Sequence, residues 1–359
     1  MLGAPRAALP AALLAAGLLA GCAAGVSGTG PAVPPAAPAS APLGGPPPAG
    51  TVVPLGAPAT AVVVDPRTGT VAVALTDPPR LVLRTLDGPV SPREGPLRDV
   101  PLRDVPLRDV PLRDVPLPGP ATDLVLAAEG GPLLVPIATP GCLLRVPLQG
   151  GAPSRTDLAG SARGVVTVGG VTVVALGDRL AVLGGGRGPV SIPGFSEATR
   201  LVPAGAPSGS KIWVLDRGRS AVSVVDVSSG VISPALRAGN GAADAVADRF
   251  ARMLVTDTRD GELLAFAGDP PVLRQRFPLP GAPWALAYDG RRDLAWVTLT
   301  ARDEVVGLGV AAGEPVIVHR FRTVHEPNSV AVDPVSGRVL VASASGAGLQ
   351  VINPERVVR

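Results

Sequence analysis

Aromatic residues, lysine, cysteine and histidine are all scarce in this chain of 359 residues. It has one tyrosine, three tryptophans and five phenylalanines, and Lys211 is its single lysine. With so few rings to stack on bases, and with arginines scattered rather than blocked, a nucleic-acid groove is not expected. The formal net charge is small, +3. Two histidines, His319 and His325, stand close together near the end, and the two cysteines are Cys22 and Cys142. No Gly-x-Ser-x-Gly, His-Glu-x-x-His or phosphate-loop pattern is present, and no cofactor is called for. What the chain does have is 45 glycines, 43 prolines and a hydrophobic fraction of 46%. That is apolar mass for a large core, broken by many turns, with little room for long helices.

The N-terminus carries the most specific signal. After Arg6, an apolar stretch from Ala7 to Leu19 is too short for a comfortable membrane span. It ends in Leu19-Ala20-Gly21-Cys22, which resembles the lipobox of bacterial lipoproteins. The resemblance implies that residues 1–21 are a signal peptide and that Cys22 is lipidated (palmitate), anchoring the protein to the extracytoplasmic face of the cell membrane. The alternatives are an ordinary signal peptide with a chance cysteine, or a buried apolar helix. Cys142 then has no partner, and in Gly141-Cys142-Leu143-Leu144 it reads as a small buried hydrophobe. Residues 23–50 hold no charge and include Pro34-Pro35 and Pro46-Pro47-Pro48. Residues 22–50 are therefore expected to be a flexible tether, partly polyproline II, reaching roughly 90 Å when fully extended.

Beyond residue 50, Val/Leu/Ala/Thr runs of four to six residues alternate with Gly, Pro and Asp turns, the pattern of antiparallel strands. The runs recur in larger units. Ala59-Thr60-Ala61-Val62-Val63-Val64-Asp65, Pro283-Trp284-Ala285-Leu286-Ala287-Tyr288-Asp289 and Pro327-Asn328-Ser329-Val330-Ala331-Val332-Asp333 are each followed by a turn and a second apolar strand. Seven units start near residues 58, 119, 161, 196, 242, 282 and 327. This spacing suits the four-stranded blades of a β-propeller, whereas helical repeats of similar period are excluded by the β-branched, Gly-punctuated runs.

On the segments Ile212-Trp213-Val214-Leu215-Asp216-Arg217, Leu254-Val255-Thr256-Asp257-Thr258 and Ala295-Trp296-Val297-Thr298, the units resemble the YVTN family of β-propellers and, more loosely, the NHL type. The resemblance spans roughly residues 51–354. It implies an all-β, seven-bladed propeller and says little about function. Thr51-Val52-Val53-Pro54-Leu55 matches a fourth-strand pattern, and the last unit ends at its third strand, Leu349-Gln350-Val351-Ile352. The first strand is thus expected to complete the last blade and remove an open edge, leaving 355–359 as a tail. Pro96–Val115 is four copies of Pro-Leu-Arg-Asp-Val. Proline at every fifth position blocks helix and inner strand alike, so the tract reads as an expanded outer loop feeding a strand at Val115–Gly119. A docking role for it is the alternative.

Chemistry is sparse. His325-Glu326-Pro327-Asn328 precedes the last inner strand, where propeller ligands usually bind. Gluconolactonase-like propellers hold a divalent metal there, which makes Glu326 and Asn328 a weak candidate metal pair; the plainer reading is a loop carboxylate and a turn asparagine. Streptogramin-lyase-like propellers need His and Glu from several blades, which two neighbouring histidines do not supply. The remaining polar set lies in turns between second and third strands: Asp77, Asp216, Arg217, Arg219, Asp257, Arg259, Asp260, Arg302 and Asp303. These form a candidate mixed-charge binding face, against a plainer reading as turn chemistry and solvated salt bridges. The expected function is an envelope-anchored, non-catalytic scaffold for a protein or polymer partner. The alternative is a metal-dependent, lactonase-like hydrolase using the central opening, and the oligomeric state is left open.

Overall fold

The computed structural model describes residues 34–86, 113–186, 190–206 and 208–355. Cys22, the leader, the tether as far as residue 33, most of the pentapeptide tract and the final four residues lie outside the described residues. All regular structure among the described residues is β-strand.

Among the described residues, five four-stranded antiparallel sheets repeat one plan. The first is built from Ala59–Val64, Thr70–Thr76, Pro79–Thr85 and Arg113–Pro116. Its second strand is buried from Thr70 to Leu75 without alternation, because both faces of each sheet are covered by neighbouring sheets. The outermost strands differ: Ser154–Asp157 is exposed throughout, and Val272–Pro278 alternates. Charged side chains such as Arg276 and Arg320 occupy these edges, a disposition that discourages edge-to-edge pairing.

Seven apolar clusters, each spanning two adjacent strand units, close the assembly into a ring. One joins Leu133, Val135 and Ile137 to Ala72, Leu81 and Leu83 of the first sheet. Another joins Trp296 and Val305 to Val339, Val341 and Ile352. Trp296 lies flat against Gly307, where an added Cβ would meet its ring at 2.9 Å. Glycine is needed there for close approach rather than for backbone freedom.

The seven expected units do not all form separate sheets. Those starting near 161 and 196 share one eight-stranded sheet, because Val190–Pro203 is a single 14-residue strand. It pairs first with Gly177–Leu183 and then with Lys211–Asp216. Between the two pairings, the Asp216 carboxylate accepts the N–H groups of Ser196 and Glu197, both at 2.8 Å. Those bonds satisfy two main-chain N–H groups where the ladder shifts register between the two partners.

At the other junction, Thr51–Val53 pairs with Leu349–Ile352, Thr51 opposite Val351. Gln350 is fully buried beside this pair. Its amide donates to the Ala49 and Arg322 carbonyls at 2.6 and 2.9 Å and accepts from the Val324 N–H at 3.0 Å. The outer strand of the first sheet is Arg113–Pro116, so it begins inside the last pentapeptide copy, two residues earlier than the sequence suggested. Cys142 is fully buried in the second sheet, and burial raises its thiol pKa.

Residues 34–50 correct another expectation. A segment without charge or apolar periodicity was expected to hang free, yet from Pro34 onward it lies on the ring as a strap, with Ala36 and Ala41 buried. It needs no core of its own, because the ring's loops supply partners for its main chain.

Candidate binding face and central cavity

In an antiparallel four-stranded unit, the turn between second and third strands lies at the same end as the connection into the next inner strand. Asp77, Asp216–Arg219, Asp257–Asp260 and Arg302–Asp303 occupy the former position, and Asn240–Gly241 and His325–Glu326 the latter. They share one rim.

Most aspartates on this rim are engaged by the chain's own loops. Asp257 is fully buried and accepts the N–H groups of Asn240 and Gly241 at 2.8 Å, as Asp216 does for Ser196 and Glu197. Asp303 accepts the Glu326 N–H at 3.1 Å and faces His325 Nδ1 at 2.8 Å. Asp260 accepts from the Asn240 side chain at 3.3 Å. Asp77 is exposed in its turn and is not brought to the others' partners. These carboxylates fix the loops that lead into the inner strands.

The guanidinium groups behave differently. Arg217 donates to the Ala36 carbonyl, and Arg259 to the Pro34 carbonyl at 2.5 Å. Neither has a carboxylate partner within ion-pair distance among the described residues. Arg217 also lies over the Trp284 ring, 5.2 Å from its centroid, and burial lowers its pKa. Arg219 bonds the Gly194 carbonyl at 2.7 Å and is half exposed. Further along, the Ala39 N–H donates to Thr300 Oγ1 at 3.0 Å. Ser40 Oγ donates to Glu326 Oε1 at 3.2 Å and stands 3.5 Å from His325 Nε2. Although Ser40, His325 and Asp303 follow the order of a hydrolytic triad, the shorter bond of the hydroxyl is to Glu326, and the contacts serve to pin the strap. Arg302 and Asp303 line a cavity of about 800 Å³ alongside strap residues 41–48.

A second cavity, of about 920 Å³, sits at the centre, walled by all seven inner segments, among them Thr60–Val64, Asp123–Leu126, Thr199–Pro203, Ala243–Val246 and Asn328–Val332. Within it Arg200 bridges Asp123 and Asp244, each at 2.6 Å. Burial alone would lower the Arg200 pKa, but the two carboxylates outweigh it and raise the pKa above the ordinary value. Asp244 is further fixed by the N–H groups of Ala245 and Leu286 at 2.8 and 2.9 Å. This bridge was not expected from the sequence. The signal was present in the aligned units: the third inner-strand position is Ala61, Gly164, Ala285 or Ser329 in four of them and Asp123, Arg200 or Asp244 in the other three.

The candidate metal pair Glu326 and Asn328 has two different settings. Glu326 is engaged by Ser40 on the rim, whereas Asn328 lines the central cavity. Among the described residues, the one acidic trio with oxygens within 4.8 Å of one another is Asp257, Asp260 and Glu262. Its members are already engaged by backbone N–H groups, by Asn240 and by Arg276 respectively.

A closed ring of radial antiparallel sheets around a central cavity defines a β-propeller, and solved structures agree. The chain is similar to the β-propeller domain of Myceliophteria thermophila Cps50 (Swd1), with a TM-score of 0.68 at 12% identity, covering 85% of this chain and 99% of that one. It is similar to Kuenenia stuttgartiensis hydrazine synthase, at 0.66 and 14%, covering 84% and 97%. It is also similar to a catalytically inactive virginiamycin B lyase from Staphylococcus aureus, at 0.64 and 11%, covering 84% and 97%. At such identities the likeness is one of fold. No family model matches the chain, and no curated protein matches it in sequence.

Proposed function

We propose that this protein is a cell-envelope lipoprotein, anchored through Cys22, whose propeller is a non-catalytic binding or scaffold module for a protein or polymer partner. We count seven blades, taking the eight-stranded sheet as two blades joined through Val190–Pro203; the seven inner segments around the cavity support that count. The units keep their YVTN-like character in this reading. The observation that carries it is the use of Arg217 and Arg259: both donate to main-chain carbonyls of an extended segment laid across the rim. A face whose arginines meet main-chain carbonyls of a bound segment, while its aspartates, and Arg259 through the Asn240 carbonyl, stabilise its own loops, is suited to holding a polymer.

A lyase-like or lactonase-like reading has less support. His325 is held between Asp303 and Ser40, and Glu326 is engaged by Ser40 while Asn328 lines the cavity. The test places photo-crosslinking residues at Arg219 and Arg302 on the rim and at Arg274 on an outer edge, in cells producing the full chain. Adducts at the rim positions that fade in an Arg217→Ala/Arg259→Ala background support the reading. Adducts at Arg274 alone, or lactone hydrolysis by the purified chain that EDTA abolishes, would overturn it. Replacing Cys22 with serine should release the protein from membranes and stop its labelling by palmitate.

A further inference from the structure

We infer that the rim groove beneath Pro34–Ala41 is a recognition site for an extended, uncharged polypeptide of small residues spaced by prolines, and that the chain's own strap is its resident occupant. The inference rests on the binding reading above and names the chemistry of the partner.

The groove imposes a requirement at each step. The carbonyls at positions 34 and 36 accept from Arg259 and Arg217. The side chain at 36 must be small: Ala36 is 4% exposed, and a Cβ added to the facing Gly241 would lie 3.0 Å from the Ala36 Cβ. Position 39 must keep its N–H for Thr300 Oγ1, so proline is excluded there. Position 40 offers a hydroxyl to Glu326, and Ala41 is 8% exposed. Prolines 34, 35 and 38 stand where no N–H is used. Their fixed φ holds the segment extended and lowers the entropy lost on seating.

The strap is an occupant and not a part of the ring. Residues 34–50 form no strand, and they contribute little to the inter-sheet clusters, Ala49 alone packing against one of them. A segment held by a few polar bonds and two methyl groups opens at low free energy. Tethered at its C-terminal end, it competes with a partner at an effective concentration on the order of millimolar. A partner of matching chemistry displaces it by the same contacts.

The test uses the full chain carrying Ala36→Trp, whose strap no longer fits, and a fluorescent peptide, Pro-Pro-Ala-Ala-Pro-Ala-Ser-Ala, matching residues 34–41. Anisotropy should show saturable binding to this variant, with wild type binding about ten- to a hundredfold more weakly because its own strap competes. A peptide with tryptophan at the third position should not bind, nor should the wild-type peptide bind after Arg217→Ala and Arg259→Ala are added. Ala39→Pro provides a second opened form that leaves the ring untouched, with a smaller gain. The inference is overturned if neither opened form binds the peptide more tightly than wild type, or if the tryptophan peptide binds equally well. Should that happen while rim crosslinks still depend on Arg217 and Arg259, the binding reading survives and only the peptide chemistry is wrong.

Discussion

Leu133, Leu134 and Val135 in the second sheet are each fully buried between two neighbouring sheets, whereas Pro34–Ala41, almost as apolar in composition, buries two methyl groups and depends on arginine, threonine and glutamate for the rest. The ring is held by area removed from water, repeated at every interface, at roughly 25 cal/mol per Å². The strap is held by hydrogen bonds that water can replace, each contributing about 1 kcal/mol net. The ring should therefore open only as a unit, and the strap should detach while the ring stays folded.

The largest expected loss lies in the ring. Trp296 is 1% exposed and stacks with His319 and Phe321, ring centroids 5.4 and 6.3 Å away. Trp296→Ala should lower unfolding stability by about 4 kcal/mol in denaturant titration. Arg200→Ala should follow at about 3 kcal/mol, because Asp123 and Asp244 are left facing each other without a counter-ion. Changing both aspartates to asparagine alongside Arg200→Met should recover most of that loss. Asp257→Asn should lose about 2 kcal/mol, since a neutral amide is a poorer acceptor for Asn240 and Gly241 N–H. A loss as small as that of a strap variant would break the distinction between ring and strap.

A pH titration sharpens the comparison on the ring side. Tyr288, the only tyrosine, has its pKa pushed up to about 12 from an ordinary 10.0, first by burial and then by its 2.8 Å hydrogen bond to Asp293. The folded state therefore favours the protonated phenol. Its contribution to stability is fully present below pH 10 and is lost as pH rises toward 12. Absorbance at 295 nm, followed by pH jump within the folded state, should show the midpoint near 12, and Asp293→Asn should move it toward 10. A midpoint of 10 in the folded wild type would contradict the burial described.

Sequence made the ring visible and the strap invisible for one physical reason. Inner and second strands such as Ala59–Val64 and Thr70–Thr76 announce themselves by continuous apolar runs between Asp and Gly turns, at a repeating distance. The closing strand was legible because Thr51–Val53 repeats a fourth-strand pattern where the last unit lacks one. The merging of two units was not, because it lies in the 14-residue strand Val190–Pro203 pairing with a neighbour on each side, and Asp257 makes the same two bonds as Asp216 at a junction where the sheets stay separate. Of the candidate rim, the aspartates were recognisable as turn residues. That Arg217 and Arg259 reach Ala36 and Pro34, 181 and 225 residues distant, leaves no local trace. Composition marked Pro34–Ala41 as unable to build a core, which is correct, and gave no sign that a ready-made surface would receive it.

The most direct measurement is hydrogen–deuterium exchange of the full chain, read on peptides covering Ala36–Ala41 and the inner strands. Protection is expected at Ala39, whose N–H is bonded to Thr300. In Arg217→Ala/Arg259→Ala that protection should be lost, with the inner strands unchanged and global stability lowered by about 1 kcal/mol. Exchange of Ala36–Ala41 in the wild type as fast as in a free peptide would contradict it, and with it the claim that this rim grips an extended chain.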